Sequence, residues 1–77
     1  MTLDGLKPGH FATILSTNGS GELRLRLLDM GLIPGSSVKM QKTAPLGDPV
    51  QILIRGYELT VRKEDAAKIE IREEKNR

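Results

Sequence analysis

Two dissimilar, rigid turns lie on either side of one short strand pattern, and this arrangement constrains the fold more than any other feature. The first turn is residues 31–35 (GLIPG), which follow a helical pattern, and the second is residues 45–49 (PLGDP). Apolar and polar side chains alternate between them, as is typical of a half-buried strand. Proline fixes φ and glycine permits positive φ, so both turns have few backbone conformations available. Neither turn carries a catalytic side chain, so the region indicates a recognition surface.

Chain length and composition limit the classes of protein that are possible. The 77 residues allow one domain, residues 1–77, and the formal charge of +2 is too small to indicate nucleic-acid binding by itself. The absence of cysteine excludes a disulfide framework, a thiolate zinc site and a cysteine nucleophile. No apolar run reaches the roughly 18–20 residues that span a bilayer, and the first residues lack a signal-peptide pattern. We therefore expect a cytoplasmic protein with no direct membrane insertion.

One clear helix is predicted at about residues 21–30. Leu23, Leu27 and Met30 share a face at 100° per residue, and Gly31 ends the helix in the manner of a C′ glycine. Leu25 lies on the opposite face, where a single exposed leucine is common and needs no function. A docking surface is the alternative interpretation of Leu25.

Five short strands are predicted around this helix, at residues 11–16, 37–44, 50–55, 57–62 and 69–71. Gly56 permits a tight hairpin between the third and fourth strands, with Tyr57, Leu59 and Val61 expected to face inward. Residues 63–68 are long enough for one helical turn, and residues 73–77 form a charged tail that we expect to be frayed. The fold class is therefore mostly β: a small, closed or nearly closed barrel of about five strands with one helical insertion.

Catalytic chemistry is not indicated. His10 is the sole histidine, it lies beside a Pro-Gly turn, and metal sites normally need several clustered ligands. No G-x-S-x-G elbow accompanies the serines, and Asp48 is expected to support its own turn through a side-chain hydrogen bond. We therefore predict no catalytic residue, no metal ligand and no cofactor.

Nucleic-acid binding is the main physical alternative, because small barrels often bind it. Arg55, Arg62, Lys63 and Lys68 would supply a mildly basic region. Sheet-face stacking also needs exposed aromatic side chains. With Tyr57 assigned inward and Phe11 far away in sequence, the stacking platform is missing, and we expect no nucleic-acid partner.

Three motifs, in order and at consistent spacing, closely resemble the FeoA family of small ferrous iron transport proteins. They are LLDMGLIPG, APLGDPV and RGYELTVRKEDAAKIEI, and the resemblance runs from about residue 6 to residue 71. It implies an SH3-like β-barrel without enzymatic activity. It also implies a cytosolic role accessory to the ferrous iron transporter FeoB, through protein–protein contact with the transporter's GTP-binding part. The same barrel occurs in iron-dependent repressors, but this chain has no helix-turn-helix.

The partner-binding surface is predicted to combine the end of the helix with the second turn. Its residues are Leu25, Arg26, Asp29, Leu32, Pro45, Leu46 and Asp48. Leu32 and Leu46 are the expected apolar anchors, unless they plug the ends of the barrel instead. Two alternatives stay open for the function: a nucleic-acid-binding barrel, and an accessory protein that binds Fe²⁺ directly near His10.

Overall fold

The computed structural model describes residues 1–74 and confirms a mostly β fold. Each predicted element is present, with bounds that differ from the prediction by at most two residues. A 3₁₀ turn at Leu3–Gly5 is followed by strand β1 (Phe11–Thr17), helix α1 (Gly21–Asp29), β2 (Ser37–Thr43), β3 (Val50–Ile54), β4 (Tyr57–Val61), helix α2 (Lys63–Ala66) and β5 (Ile69–Glu73). Ser20 caps α1, since its Oγ accepts a 3.1 Å hydrogen bond from the Leu23 amide.

The five strands form one antiparallel sheet in the order β4-β3-β2-β1-β5. The register shifts between Ile14 and Ser16 on β1 and between Met40 and Lys42 on β2. An extra residue in one strand bends it and increases its twist. These two bulges curve the sheet toward a barrel, in which β4 and β5 are the edge strands and are not paired with each other.

Helix α1 and the residues beside it are hydrogen-bonded to β4 and to the segment that links β4 to β5. Near its end, the Met30 carbonyl accepts a 3.1 Å hydrogen bond from the Tyr57 hydroxyl. Further back, Arg26 Nη2 donates to Asp65 Oδ2 at 3.1 Å. Just before the helix, the Asn18 amide donates to the Lys68 carbonyl at 2.6 Å. Strands β4 and β5 do not pair with each other, and α1 is held against β4 and the segment between these two strands.

The end of α1 explains the position of Leu32. The Leu32 amide donates to the Leu27 carbonyl at 3.0 Å, and the Gly31 amide donates to the Leu28 carbonyl at 2.9 Å. With Gly31 at φ +95°, this is the Schellman arrangement, in which the residue after the glycine packs on the last turn of the helix. Leu32 and Leu27 both lie in the core.

The core is aliphatic, as the shortage of aromatic residues predicts. Within residues 1–74, sixteen buried apolar side chains come from all five strands, both helices and the turns, and the largest fully buried ones include Leu3, Ile14, Leu27, Met40 and Ile52. Burial of this kind is the main favourable term in folding.

The exposure of Tyr57 differs from the prediction that its side chain faces the barrel interior. It pairs with Ile54, which pairs with buried Val38, so Tyr57 does belong to the inward row of the sheet. It is nevertheless 45% exposed. The reason is its place at the mouth of the barrel, where the ring covers Gly31 and the hydroxyl reaches Met30.

The charged tail begins later than predicted. Glu73 is the last residue of β5, and the Glu74 amide donates to the Phe11 carbonyl at 2.9 Å. Residues 75–77, the rest of the tail predicted to fray, lie outside the described residues. Within residues 1–74, no helix is long and apolar enough to cross a bilayer.

Candidate partner-binding surface

The predicted surface residues divide into exposed and buried groups. Leu46 is 94% exposed at the tip of the second turn, and Leu25 is 64% exposed on α1. Arg26, Asp29 and Pro45 are also exposed. Leu32 is 0% exposed, so its side chain belongs to the hydrophobic core and a partner cannot contact it. The alternative interpretation of Leu32, in which it plugs the barrel end, agrees with this position, and the surface loses one of its two expected anchors.

The second turn holds Leu46 in place through its backbone. The Gly47 amide donates to the Ala44 carbonyl at 2.7 Å, and the Ala44 amide donates to the Pro49 carbonyl at 3.0 Å. Gly47 has φ +83°, a value that only glycine adopts easily. The Leu46 side chain is therefore presented to solvent by a backbone with little freedom.

Asp48 has a different contact from the predicted one. Instead of a bond within its own turn, its Oδ1 accepts a 2.9 Å hydrogen bond from the Lys63 amide at the start of α2. The first amides of a helix lack partners within the helix. Asp48 thus satisfies one of them and fastens the second turn to α2.

Arg26 connects helix α1 to α2 in a similar way. Its guanidinium binds Asp65, whose side chain is only 16% exposed, while the Arg26 side chain itself is 60% exposed. The helix end and the second turn are therefore both bonded to α2, through Asp65 and through Lys63. Local sequence patterns do not indicate these contacts, because they join residues 15 and 39 positions apart.

Two shallow clefts lie on the two sides of Thr60. One, of about 310 Å³, is lined by α1 and the segment after β4: Arg26, Met30, Thr60, Val61, Arg62 and Asp65. The other, of about 290 Å³, lies beneath the second turn and includes Pro45, Pro49 and Thr60. Thr60 lines both clefts, which together form the recessed surface around this residue. Leu25 and Leu46 are exposed on two of the elements that line it, α1 and the second turn.

His10 lies outside this surface. Its ring Nδ1 is hydrogen-bonded to the Glu73 carboxylate, which joins the start of β1 to the end of β5. Within residues 1–74, no group of three or more His, Cys, Asp or Glu side chains is arranged to hold a metal ion. Among the described residues, Glu73 is the carboxylate that is bonded to His10.

The two aromatic side chains lie on opposite faces of the sheet. Phe11 pairs with Lys39 on the outward row, is 42% exposed, and has the Lys39 ammonium 5.4 Å from its ring centroid. Tyr57 belongs to the inward row at the barrel mouth. Stacked bases would need both rings on one face, so this sheet has no shared aromatic platform.

Comparison with known proteins decides the family. A family model described as the FeoA domain matches residues 1–73 of the chain. The chain belongs to the FeoA family. This agrees with the three sequence motifs and extends the match to the first residues.

One relative joins a FeoA region to a transporter in a single chain. It is the Fe(2+) transport protein A/Fe(2+) transporter FeoB fusion protein of Porphyromonas gingivalis, which is 42% identical over 71 residues. The match covers 92% of this chain and 8% of that protein. The chain therefore spans less than a tenth of the length of this relative.

Solved FeoA structures have the same fold. The solution structure of FeoA from Chlorobium tepidum has a TM-score of 0.85 and 38% identity, over 92% of this chain and 68% of that one. A zinc complex of Stenotrophomonas maltophilia FeoA, described as a prokaryotic SH3 domain protein, has a TM-score of 0.80 and 22% identity, over 94% of this chain and 89% of that one. The predicted SH3-like fold is confirmed.

Proposed function

We propose that this chain is a non-enzymatic accessory protein of ferrous iron uptake that binds the cytosolic, GTP-binding part of a FeoB-type transporter. The observation that carries the proposal is the fusion of a FeoA region and a FeoB transporter in one relative, at 42% identity to this chain. A covalent link holds two modules at an effective concentration on the order of millimolar. Where the two modules are separate chains, a binding surface has to supply this proximity. The place of action of this chain is then the cytoplasm.

The recessed surface around Thr60 is the proposed contact. Leu46 and Leu25 are large apolar side chains that stay in water in the free protein. Burying them against a partner would be favourable, at about 25 cal/mol per Å² of apolar area before the costs of association. The turn that carries Leu46 is already ordered by its own hydrogen bonds, so little entropy is lost when it binds.

The side chains of this surface favour recognition over catalysis. Arg26 and Asp65 are bonded to each other, and Asp48 is bonded to a helix amide. The histidine lies outside the surface, beside Glu73. Activated nucleophiles need an adjacent base, and the surface residues supply none.

Calorimetric titration of the transporter's GTP-binding domain tests the proposal. The wild-type chain should bind in at least one of the nucleotide-free, GDP and GTP-analogue states. Leu46→Asp should weaken binding about tenfold or more, because it puts a charge at an apolar contact. Leu15→Asp is the matched control, since Leu15 is an exposed leucine on β1 away from the surface. Equal binding by the folded Leu46→Asp variant would remove Leu46 from the interface, and no binding by wild type in any state would contradict the proposal.

A further inference from the structure

Strand β4 has backbone groups that no neighbouring strand uses. The β3–β4 hairpin turns through two residues with positive φ, Arg55 at 52° and Gly56 at 84°, which is the pattern of a type I′ turn. In such a hairpin the flanking pair, Ile54 and Tyr57, is hydrogen-bonded, and bonded pairs alternate from there. The amide and carbonyl groups of Glu58 and Thr60 therefore point away from β3.

The other edge of the sheet is protected. Thr2 forms an antiparallel bridge with Glu70, and the Ile71 amide donates to the Met1 carbonyl at 2.8 Å. The first residues of the chain thus cover β5. Exposed strand edges are ready-made templates for pairing with another chain. Among the described residues, β4 is the edge that is left for such pairing.

The open edge lies beside the larger cleft. This cleft of about 310 Å³ is lined by Thr60, Val61 and Arg62 at the end of β4, by Arg26 and Met30 of α1 and its C-cap, and by Asp65. The Tyr57–Met30 and Arg26–Asp65 contacts hold α1 in place there. A single extended chain entering this cleft would have the free groups of Thr60 at its side and Met30 among the facing residues. The free groups of Glu58 lie two residues further along the same edge.

Charge indicates the chemistry of the occupant. Arg26 is already paired with Asp65. Arg62 lines the same cleft, is exposed, and has no ion-pair partner within residues 1–74. It is followed by exposed Lys63. A carboxylate on the incoming segment would be attracted to this end of the cleft, and a basic side chain would be repelled.

We infer that an extended, acidic segment of the partner adds to the sheet as a strand alongside β4. Its main chain pairs with Glu58 and Thr60, and a carboxylate side chain meets Arg62. This mode of recognition, in which main-chain bonds supply affinity and side chains supply specificity, is β-strand addition. The inference rests on the proposed function and names the kind of segment that the transporter contributes. A second copy of this chain is a poorer fit, because it would bring its own α1 to the same edge.

Variants at Thr60 and Arg62 test the pairing against the transporter's GTP-binding domain. Thr60→Pro removes the outward amide but no bond to β3, and edge strands tolerate proline at such positions. It should weaken binding about tenfold or more, whereas Thr60→Val, which keeps the amide, should stay within about twofold. Arg62→Glu should weaken binding about tenfold. Lys7→Glu, with the same change in net charge on the turn before β1, should leave it unchanged.

Amide hydrogen exchange of the wild-type chain gives a second readout that does not depend on any variant folding. In the free protein the Glu58 and Thr60 amides should exchange faster than those of Leu59 and Val61, which face β3. Saturation with the GTP-binding domain should slow Glu58 and Thr60 about tenfold or more.

The outcomes separate the inference from the function on which it rests. Tight wild-type binding with unchanged exchange at Glu58 and Thr60 would overturn strand addition and leave the proposed function standing. No wild-type binding would overturn both. A homodimer in light scattering that Thr60→Pro dissociates would overturn the inference in favour of pairing between two copies.

Discussion

The Tyr57 hydroxyl donates a 3.1 Å hydrogen bond to the Met30 carbonyl, and this bond joins the mouth of the barrel to the end of α1. Met30 is the C-cap residue of the helix, where carbonyls lack partners within the helix. The hydroxyl passes so close to Gly31 that a Cβ added there would lie 2.7 Å from it. The contact therefore depends on both the tyrosine and the glycine.

The first prediction is an energetic coupling between Tyr57 and Gly31. Tyr57→Phe should lower the free energy of unfolding by about 0.5–1.5 kcal/mol through loss of the hydrogen bond. Gly31→Ala should cost at least about 1 kcal/mol, because Gly31 has φ +95° and the new Cβ displaces the hydroxyl. In the Tyr57→Phe background Gly31→Ala should cost less, since no hydroxyl is left to displace. Urea denaturation of the four proteins measures this, and strictly additive costs would contradict the contact.

The second prediction separates the two leucines that the sequence offered as apolar anchors, Leu32 and Leu46. Leu32→Ala should destabilise the domain by about 2–5 kcal/mol, because it opens a cavity in the core beside Leu27. Leu46→Ala should change the stability by less than about 0.5 kcal/mol, since the side chain is almost fully in water. Circular dichroism with urea compares them directly, and similar costs at the two sites would be incompatible with their different burial.

The third prediction concerns the bond between the second turn and α2. Asp48→Ala leaves the Lys63 amide without its acceptor and should cost about 1 kcal/mol. Asp48→Asn keeps an acceptor oxygen at the same place and should cost clearly less. Thermal unfolding of both variants provides the comparison. If the two substitutions have equal effects, the bond contributes nothing measurable.

The fourth prediction concerns the β3–β4 turn. Arg55 has φ 52°, a conformation that asparagine adopts more readily than arginine, so Arg55→Asn should stabilise the domain by about 0.5 kcal/mol. The variant also loses the 3.1 Å bond from Arg55 Nη2 to Ser36 Oγ. Ser36→Ala removes that bond alone and gives the correction. A net loss of stability in Arg55→Asn larger than in Ser36→Ala would be the contrary result.

Local signals in the sequence predicted most of the fold. Alternation of apolar residues located the strands, and Gly31 located the end of α1. Gly31 also indicates where Leu32 lies, because the residue that follows a Schellman glycine usually packs on the helix. Of the two interpretations of Leu32, an apolar anchor and a plug of the barrel end, this rule favours the plug, in agreement with its burial.

Contacts between distant segments could not be predicted in this way. The alternation placed Tyr57 on the correct face, but its exposure depends on where α1 lies. Asp48 was expected to bond locally, because nothing in its neighbourhood indicates Lys63. The position of α1 against β4 and α2 likewise depends on the Arg26–Asp65 and Tyr57–Met30 contacts, which have no sequence signature.

A ¹⁵N NMR titration of the full chain with the transporter's GTP-binding domain tests the central claim most directly. If this chain is an adaptor that uses the surface around Thr60, the largest changes in amide shift should lie on α1, residues 45–49 and residues 58–63. The outward row that contains Phe11 and Lys39 should change little. Unchanged spectra at saturating domain concentrations in every nucleotide state, or changes confined to β1 and β5, would contradict the account.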